Sequence, residues 1–195
     1  MNKKNKIGFF CLLLWSHHLL ASVATAPTDF WKTPPLPNGN DPDHVVKPAT
    51  VDCVIHAAEK YSVPANILLA IASVERGKNG QRVKNQNGST DLGHFQINTV
   101  HWRERGGIFY QTGITKNDVL WRGCYAAELA AWMIEGYTIA DNNNYWSAVA
   151  RYHSATPKYN KIYRDKVMDF AVEWGDWLQQ HYPQDKVNVT YKPTK

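Results

Sequence analysis

One glutamate closes an apolar helical run. In the stretch ILLAIASVERGKNG, from Ile67 to Gly80, Ile67, Ile71 and Glu75 are spaced four apart. Residues at that spacing share one helix face, so Glu75 points where two isoleucines point. Desolvation there disfavours the charged carboxylate and raises its pKa. A carboxyl group that keeps its proton near neutral pH can act as a general acid. The ordinary alternative is a last-turn ion pair with Arg76 or Arg82.

Two further stretches carry groups that could join it. DLGHFQIN, from Asp91 to Asn98, reads as a tight turn and a strand with polar residues at its end. AVARYHSATPKY, from Ala148 to Tyr159, places an aromatic hydroxyl (Tyr152) and an imidazole (His153) at the end of a helix. Asp91 is the nearest second carboxylate, and its turn setting suits a structural cap. The eight histidines show no H-x-x-x-H or H-E-x-x-H spacing. His94 and His153 could meet, but two ligands do not make a zinc site. No metal and no cofactor is expected.

The elements that must position these groups are helical. Val51, Val54, Ile55 and Ala58 recur at helix spacing. A second helix starts near Pro64, a residue tolerated in a first turn, and stops at Gly77. Gly80 to Thr90 reads as a polar loop turning at Gly88, and a short extended stretch follows around Leu92 to Ile97. Further helices are expected over 99–105, 117–140, 146–152 and 158–178. The fold class is α+β, mainly α-helical, with a minimal β element.

The chain ends read differently. Lys3, Lys4 and Lys6 precede an apolar core from Ile7 to Trp15, and small residues follow at Ala21 to Ala24. This pattern reads as a secretory signal peptide over 1–24, cleaved after Ala24. An uncleaved anchor is the alternative; His17 and His18 in mid-span argue against it. Residues 25–50, rich in Pro, Asn, Asp and Gly, read as an extended leader, residues 51–180 as the domain, and 181–195 as a flexible tail. Losing residues 1–24, with their three lysines, takes the formal charge from +5 to +2. That mild excess suits an anionic polymer, and no dense basic stripe points to nucleic acid. Cleavage also removes Cys11 and leaves Cys53 and Cys124. Two cysteines in an oxidising compartment suggest one disulfide; two unrelated buried thiols are the alternative.

YSVPANILLAIASVERG, NQNGSTDLGHFQINTVHW and AVARYHSATPKYNKIY together resemble the three signature blocks of the lysozyme-like soluble lytic transglycosylases. The family writes them roughly as Y-x-V-x-x-x-L-L-x-A-I-x-x-x-E-S, D-x-G-L-M-Q-I-N and A-x-A-x-Y-N-A-G. The resemblance covers about residues 51–165 and is strongest to the small, single-domain members that accompany secretion, pilus and conjugation machines. It implies a lysozyme-like fold and a Cys53–Cys124 pair. It implies that Glu75 is the single catalytic acid, that Gln96 lines the sugar cleft, and that Tyr152 hydrogen-bonds the catalytic carboxyl. Gly93 would bring backbone close to ligand, Phe95 would wall the cleft, and His153 would keep a hydrogen-bonding group near substrate. Tyr110, Trp102, Tyr125, Tyr152 and Tyr159 are candidate sugar platforms.

The chain departs from the pattern at Arg76 (usually Ser), at His94 and Phe95 (usually Leu-Met), at His153 (usually Asn) and at Ser154-Ala155 (usually Ala-Gly). A cation at Arg76 would lower the Glu75 pKa if it reached the carboxyl, although neighbouring helix positions point apart. The implied reaction is cleavage of the β-1,4 bond between MurNAc and GlcNAc of peptidoglycan, with a 1,6-anhydro product. The implied location is the periplasm, with no membrane span after signal cleavage and with components of a secretion, pilus or conjugation apparatus as partners. A hydrolytic lysozyme and a non-catalytic wall-binding or scaffold protein are the alternatives.

Overall fold

A computed structural model describes residues 33–141, 144–183 and 187–190. The proposed signal peptide and the first residues of the leader lie outside the described residues. Among the described residues, six helices run in the order α1 (Val51–Lys60), α2 (Ala65–Glu75), α3 (Lys116–Trp121), α4 (Gly123–Ala140), α5 (Tyr145–Ala150) and α6 (Pro157–His181). Between α2 and α3 lie three short strands, β1 (Arg82–Lys84), β2 (Thr90–Leu92) and β3 (Ile97–Asn98). They pair antiparallel in the order β1-β2-β3, with Arg82 opposite Leu92 and Asp91 opposite Asn98. A 3-10 turn, Thr99–Trp102, follows β3. Among the described residues, no helix is long and apolar enough to cross a membrane.

The core forms around α2 and α4. From Ala65 to Ile71 every residue of α2 is buried, and α4 is buried on almost all sides. A helix apolar all round must be enclosed by others, and α1, α5 and α6 supply that enclosure. Each fully buried Leu or Ile contributes roughly 1.5–3 kcal/mol, so α2, with Ile67, Leu68 and Ile71 all at 0% exposure, is a rigid support for whatever stands at its end.

The residues before α1 are held by the domain. Tyr125, wholly buried in α4, donates its hydroxyl to the Pro35 carbonyl at 2.7 Å. The Gly123 N–H donates to the Lys47 carbonyl at 2.8 Å. A Cβ on Gly123 would stand 2.2 Å from the Ala49 nitrogen, so only glycine allows this approach. His44 is 3% exposed; its Nδ1 accepts from the Asn38 N–H at 2.8 Å, which leaves Nε2 to donate to Glu128 at 2.7 Å. Lys60 and Tyr61 complete the Glu128 carboxylate at 2.6 and 3.1 Å. Residues 33–50 thus form a strap held against the domain, within the stretch whose composition reads as an extended leader. The strap also explains why the single helix expected over 117–140 is two. The chain bends at Arg122, where Lys47 bridges to it.

The other end is docked as well. Asn66, at 0% exposure, accepts from the Thr190 N–H and donates to the carbonyls of Thr190 and Ala171. The Ala65 N–H donates to the Asn188 carbonyl at 2.8 Å. The Asn188 carbonyl therefore satisfies an orphan N–H at the start of α2, and residues 187–190 of the stretch read as a tail meet the domain there.

Cys53 and Cys124 are joined, their Cα atoms 5.5 Å apart and 71 residues apart in sequence. The bond ties α1 to the start of α4. Replacing both cysteines by alanine is expected to lower the unfolding free energy by about 4 kcal/mol on the chain-entropy account. Urea unfolding of the variant and the oxidised protein measures it, and a loss below about 1 kcal/mol would contradict that account.

Candidate active site

The last turn of α2 delivers Glu75 to the edge of a cleft of about 700 Å³. The helix stops there because Arg76 adopts the left-handed conformation (φ 53°, ψ 23°), its N–H still bonded to the Ala72 carbonyl. Gly77 then lets the turn press against the β2–β3 connection. A Cβ at Gly77 would lie 2.2 Å from the Gly93 carbonyl oxygen and 2.5 Å from that of His94. The stop expected at Gly77 thus falls one residue earlier, and the glycine serves close approach instead. Arg76 is exposed, and Arg82 is engaged with Asn117 on β1's exposed side. Neither cation figures among the influences on Glu75.

Tyr163 donates its hydroxyl to Glu75 Oε1 at 2.6 Å. The phenol stands on the buried face of α6 with Asn160, Val167 and Ala171. Burial pushes the Glu75 pKa up from its ordinary 4.5 to about 7; the Tyr163 hydrogen bond opposes that rise and the Asp91 charge adds to it. The carboxyl also sits at a helix C-terminus, where the backbone dipole disfavours negative charge. The group therefore keeps much of its proton at neutral pH.

The opposite side of the cleft comes from the sheet. Asp91 accepts from Asn98 at 2.6 Å and from Asn85 at 2.9 Å. The Asp91–Asn98 register of β2 and β3 places one donor, and the end of β1 places the other. Ser89 Oγ accepts from both asparagines and donates to Asn87. Asp91 faces the cleft but is the anchor of this amide network, in line with a structural cap. His101 stands beside it, and burial lowers its pKa to about 4, so its imidazole is neutral. Met133 and Tyr137 of α4 line the cleft too, as do Arg151 and Tyr152 just after α5.

The residues singled out in the sequence distribute unevenly. Glu75, Gln96, Tyr152 and His153 all line the cleft. Gln96 takes a positive φ of 49°, and its amide nitrogen donates to the Gly93 carbonyl at 2.7 Å. Tyr152 does not bond Glu75. Its hydroxyl donates to the Phe95 carbonyl at 2.8 Å, and Tyr163 takes the role expected of it. Phe95 is at 0% exposure in the core rather than at the cleft wall. Gly93, at φ 66°, lies beneath α3; a Cβ there would meet the Val119 carbonyl at 2.3 Å, so backbone and not ligand claims the space. His94 faces a separate hollow beside Trp174 and does not join His153. Of the proposed sugar platforms, Tyr125 anchors the strap and Trp102 donates to the Ile114 carbonyl; Tyr152 alone is among the cleft residues.

Residues 52–167 match the family model described as transglycosylase SLT domain. The chain belongs to that family. It is 32% identical over 112 residues to Protein IpgF of Shigella flexneri, covering 56% of this chain and 70% of that one. It is 30% identical over 125 residues to Invasion protein IagB of Salmonella typhimurium (strain LT2), covering 60% and 71%. The match to the SLT family runs from α1 into α6 and so includes every element that builds the cleft. Tyr163 and His101 escaped the sequence reading. Tyr163 carried a usable signal, since Tyr163, Val167 and Ala171 share the spacing that put Glu75 with Ile67 and Ile71.

Two measurements check the electrostatics. A carboxyl whose folded pKa is raised binds its proton more tightly in the native state. Its stabilising effect is complete below about pH 4.5 and is lost as pH rises through about 7. Glu75→Gln is therefore expected to be more stable than wild type above neutrality, by up to roughly 3 kcal/mol, with the gain vanishing in acid; equal urea midpoints throughout would contradict the burial. Tyr163→Phe removes a donor to the carboxylate and keeps the ring. The pH at which half of Glu75 is ionised is expected to move above about 7, which a pH titration of the purified variant reads out.

Proposed function

We propose that the protein is a peptidoglycan lytic transglycosylase in which Glu75 acts first as general acid and then as general base. The observation that carries the reading is a largely buried, proton-retaining carboxyl, held by Tyr163 at the edge of a cleft of about 700 Å³. Glu75 would give its proton to the glycosidic oxygen between MurNAc and GlcNAc as the C1–O bond breaks. The N-acetyl group of the muramic acid can stabilise the cationic C1. Glu75, now a carboxylate, would take the proton from that sugar's own C6 hydroxyl as its oxygen bonds to C1. The ring closes as 1,6-anhydroMurNAc, no water is consumed, and the acid is regenerated. An attack within one sugar has the entropic advantage of proximity.

Single-acid chemistry suits this cleft. A hydrolase commonly uses a second carboxylate to activate water or to attack C1. Asp91 is the candidate, and two asparagine amides hold it in a structural network. Gln96, Tyr152 and His153 would line the glycan path. Membership of the SLT family supports peptidoglycan as substrate. The signal-peptide pattern over 1–24 and the disulfide support action in the periplasm. The likeness to a protein named for invasion supports service to an envelope-spanning machine that needs the wall opened locally.

Digestion of purified peptidoglycan followed by mass analysis tests the reaction. The products are expected to be lighter by one water than those of a lysozyme, and Glu75→Gln is expected to lose at least about a thousandfold in rate, in the range for loss of an essential proton-transfer group. Hydrated products would establish hydrolysis. A Glu75→Gln variant that still clears the wall would remove the acid assignment, and a wild type that sediments with the wall without clearing it would establish a binding protein.

A further inference from the structure

His153 stands where the SLT pattern has asparagine, and its ring lies flat on Tyr163: the centroids are 4.8 Å apart and the planes 5° from parallel. Such offset stacks between flat rings are favourable and cover the face beneath them. The covered phenol is the one whose hydroxyl reaches Glu75. His153 itself is exposed, whereas Tyr163 is only 4% exposed. One face of the imidazole therefore meets the cleft while the other shields the tyrosine.

The roof is fixed from below. Asn160, 6% exposed on α6, donates to the carbonyls of Ser147 and Ser154, each at 2.9 Å. These bonds clamp the turn between α5 and α6. The His153 and Ser154 N–H groups both donate to the Ala150 carbonyl, which sets the backbone that carries the ring. Several charged or titratable groups share its surroundings. Glu75 comes from α2, Asp91 from β2, His101 from the 3-10 turn, Tyr137 from α4 and Lys166 from α6, with Arg151 on its own segment. The desolvation of its ring, half-covered on the cleft wall by the Tyr163 stack, lowers the His153 pKa; Asp91 acts against that and Lys166 with it. A neutral ring thus stacks at neutral pH.

We propose that His153 is a positioning residue for Glu75, its imidazole excluding water from the Tyr163–Glu75 hydrogen bond. The proposal rests on the reading of Glu75 as general acid, and it differs from the direct sugar contact that the motif suggests. Removing the ring would admit water to the bond. Burial is the largest influence on Glu75, so hydration would favour its charged form and release the proton. A flat apolar ring at the same place would keep the bond dry without any imidazole chemistry.

The test uses the full oxidised chain with carboxyl-carbon-13 glutamate, titrated by NMR in wild type, His153→Ala and His153→Phe. In His153→Ala the Glu75 midpoint is expected to fall by about one pH unit. In His153→Phe it is expected to stay within about 0.3 of wild type. Wall clearance by His153→Ala should drop about fivefold in kcat at neutral pH and much less near pH 5, where the acid is again protonated. Far-UV circular dichroism and thermal unfolding show that each variant is folded; if the alanine variant is not, His153→Asn, which also lacks the flat ring, takes its place with the same expected fall in the midpoint. Identical titration in wild type and His153→Ala would overturn the proposal. So would equal shifts in both variants, or a rise in KM with the Glu75 midpoint unmoved, which would make His153 a sugar ligand. The titration decides this even if wild type clears no wall, a result that would instead remove the proposed reaction.

Discussion

The structure depends on one hydrogen bond made in a place where charge is costly. The Tyr163 hydroxyl reaches Glu75 Oε1 at 2.6 Å, and the carboxyl it meets is largely withdrawn from water. Burial raises the pKa and the phenol partly restrains it, leaving the group poised at about 7. Neither influence suffices alone. A dry carboxyl without a donor would be misplaced, and a well-solvated one would be ionised well below neutral pH.

That bond joins residues 88 positions apart, so the fold has to bring α2 and α6 together and hold them. The two helices do pack directly on one another. Asn66 reinforces the contact from the far end of α2 by donating to the Ala171 carbonyl of α6, and Trp174 of α6 donates to Ser73 near the acid. Gly77 brings the sheet turn against the last turn of α2, which carries the Asp91 network to the opposite wall. The strap and the disulfide act on the other side of α4, away from the cleft, and stabilise the body from which the site projects.

Much of this was legible in the sequence because it is local. The Ile67–Ile71–Glu75 row needs only helical periodicity, and each long helix announced itself by the same means. The three-strand sheet was seen only around Leu92 to Ile97, because β1 is wholly exposed and carries no burial pattern. The break at Arg122 was hidden because its cause is Lys47, 75 positions earlier in the chain. The motif points to Tyr152 for the bond that Tyr163 makes, since a motif gives the residue type but not which of two buried phenols faces the acid. Phe95 and Gly93 were placed at the ligand for a similar reason. Their motif surrounds the cleft, yet a turn sends alternate residues inward to the core. The Arg76 cation, adjacent to the carboxyl in sequence, is exposed and is not among the influences on Glu75.

The central claim is a carboxyl that holds its proton in a folded protein near neutrality. Infrared difference spectroscopy between wild type and Glu75→Gln at about pH 6 observes that proton directly, on the acid side of a midpoint at about 7. The account expects a carbonyl stretch of a protonated carboxylic acid in wild type, absent from the variant. A difference spectrum containing only carboxylate bands would show Glu75 ionised, and would contradict it.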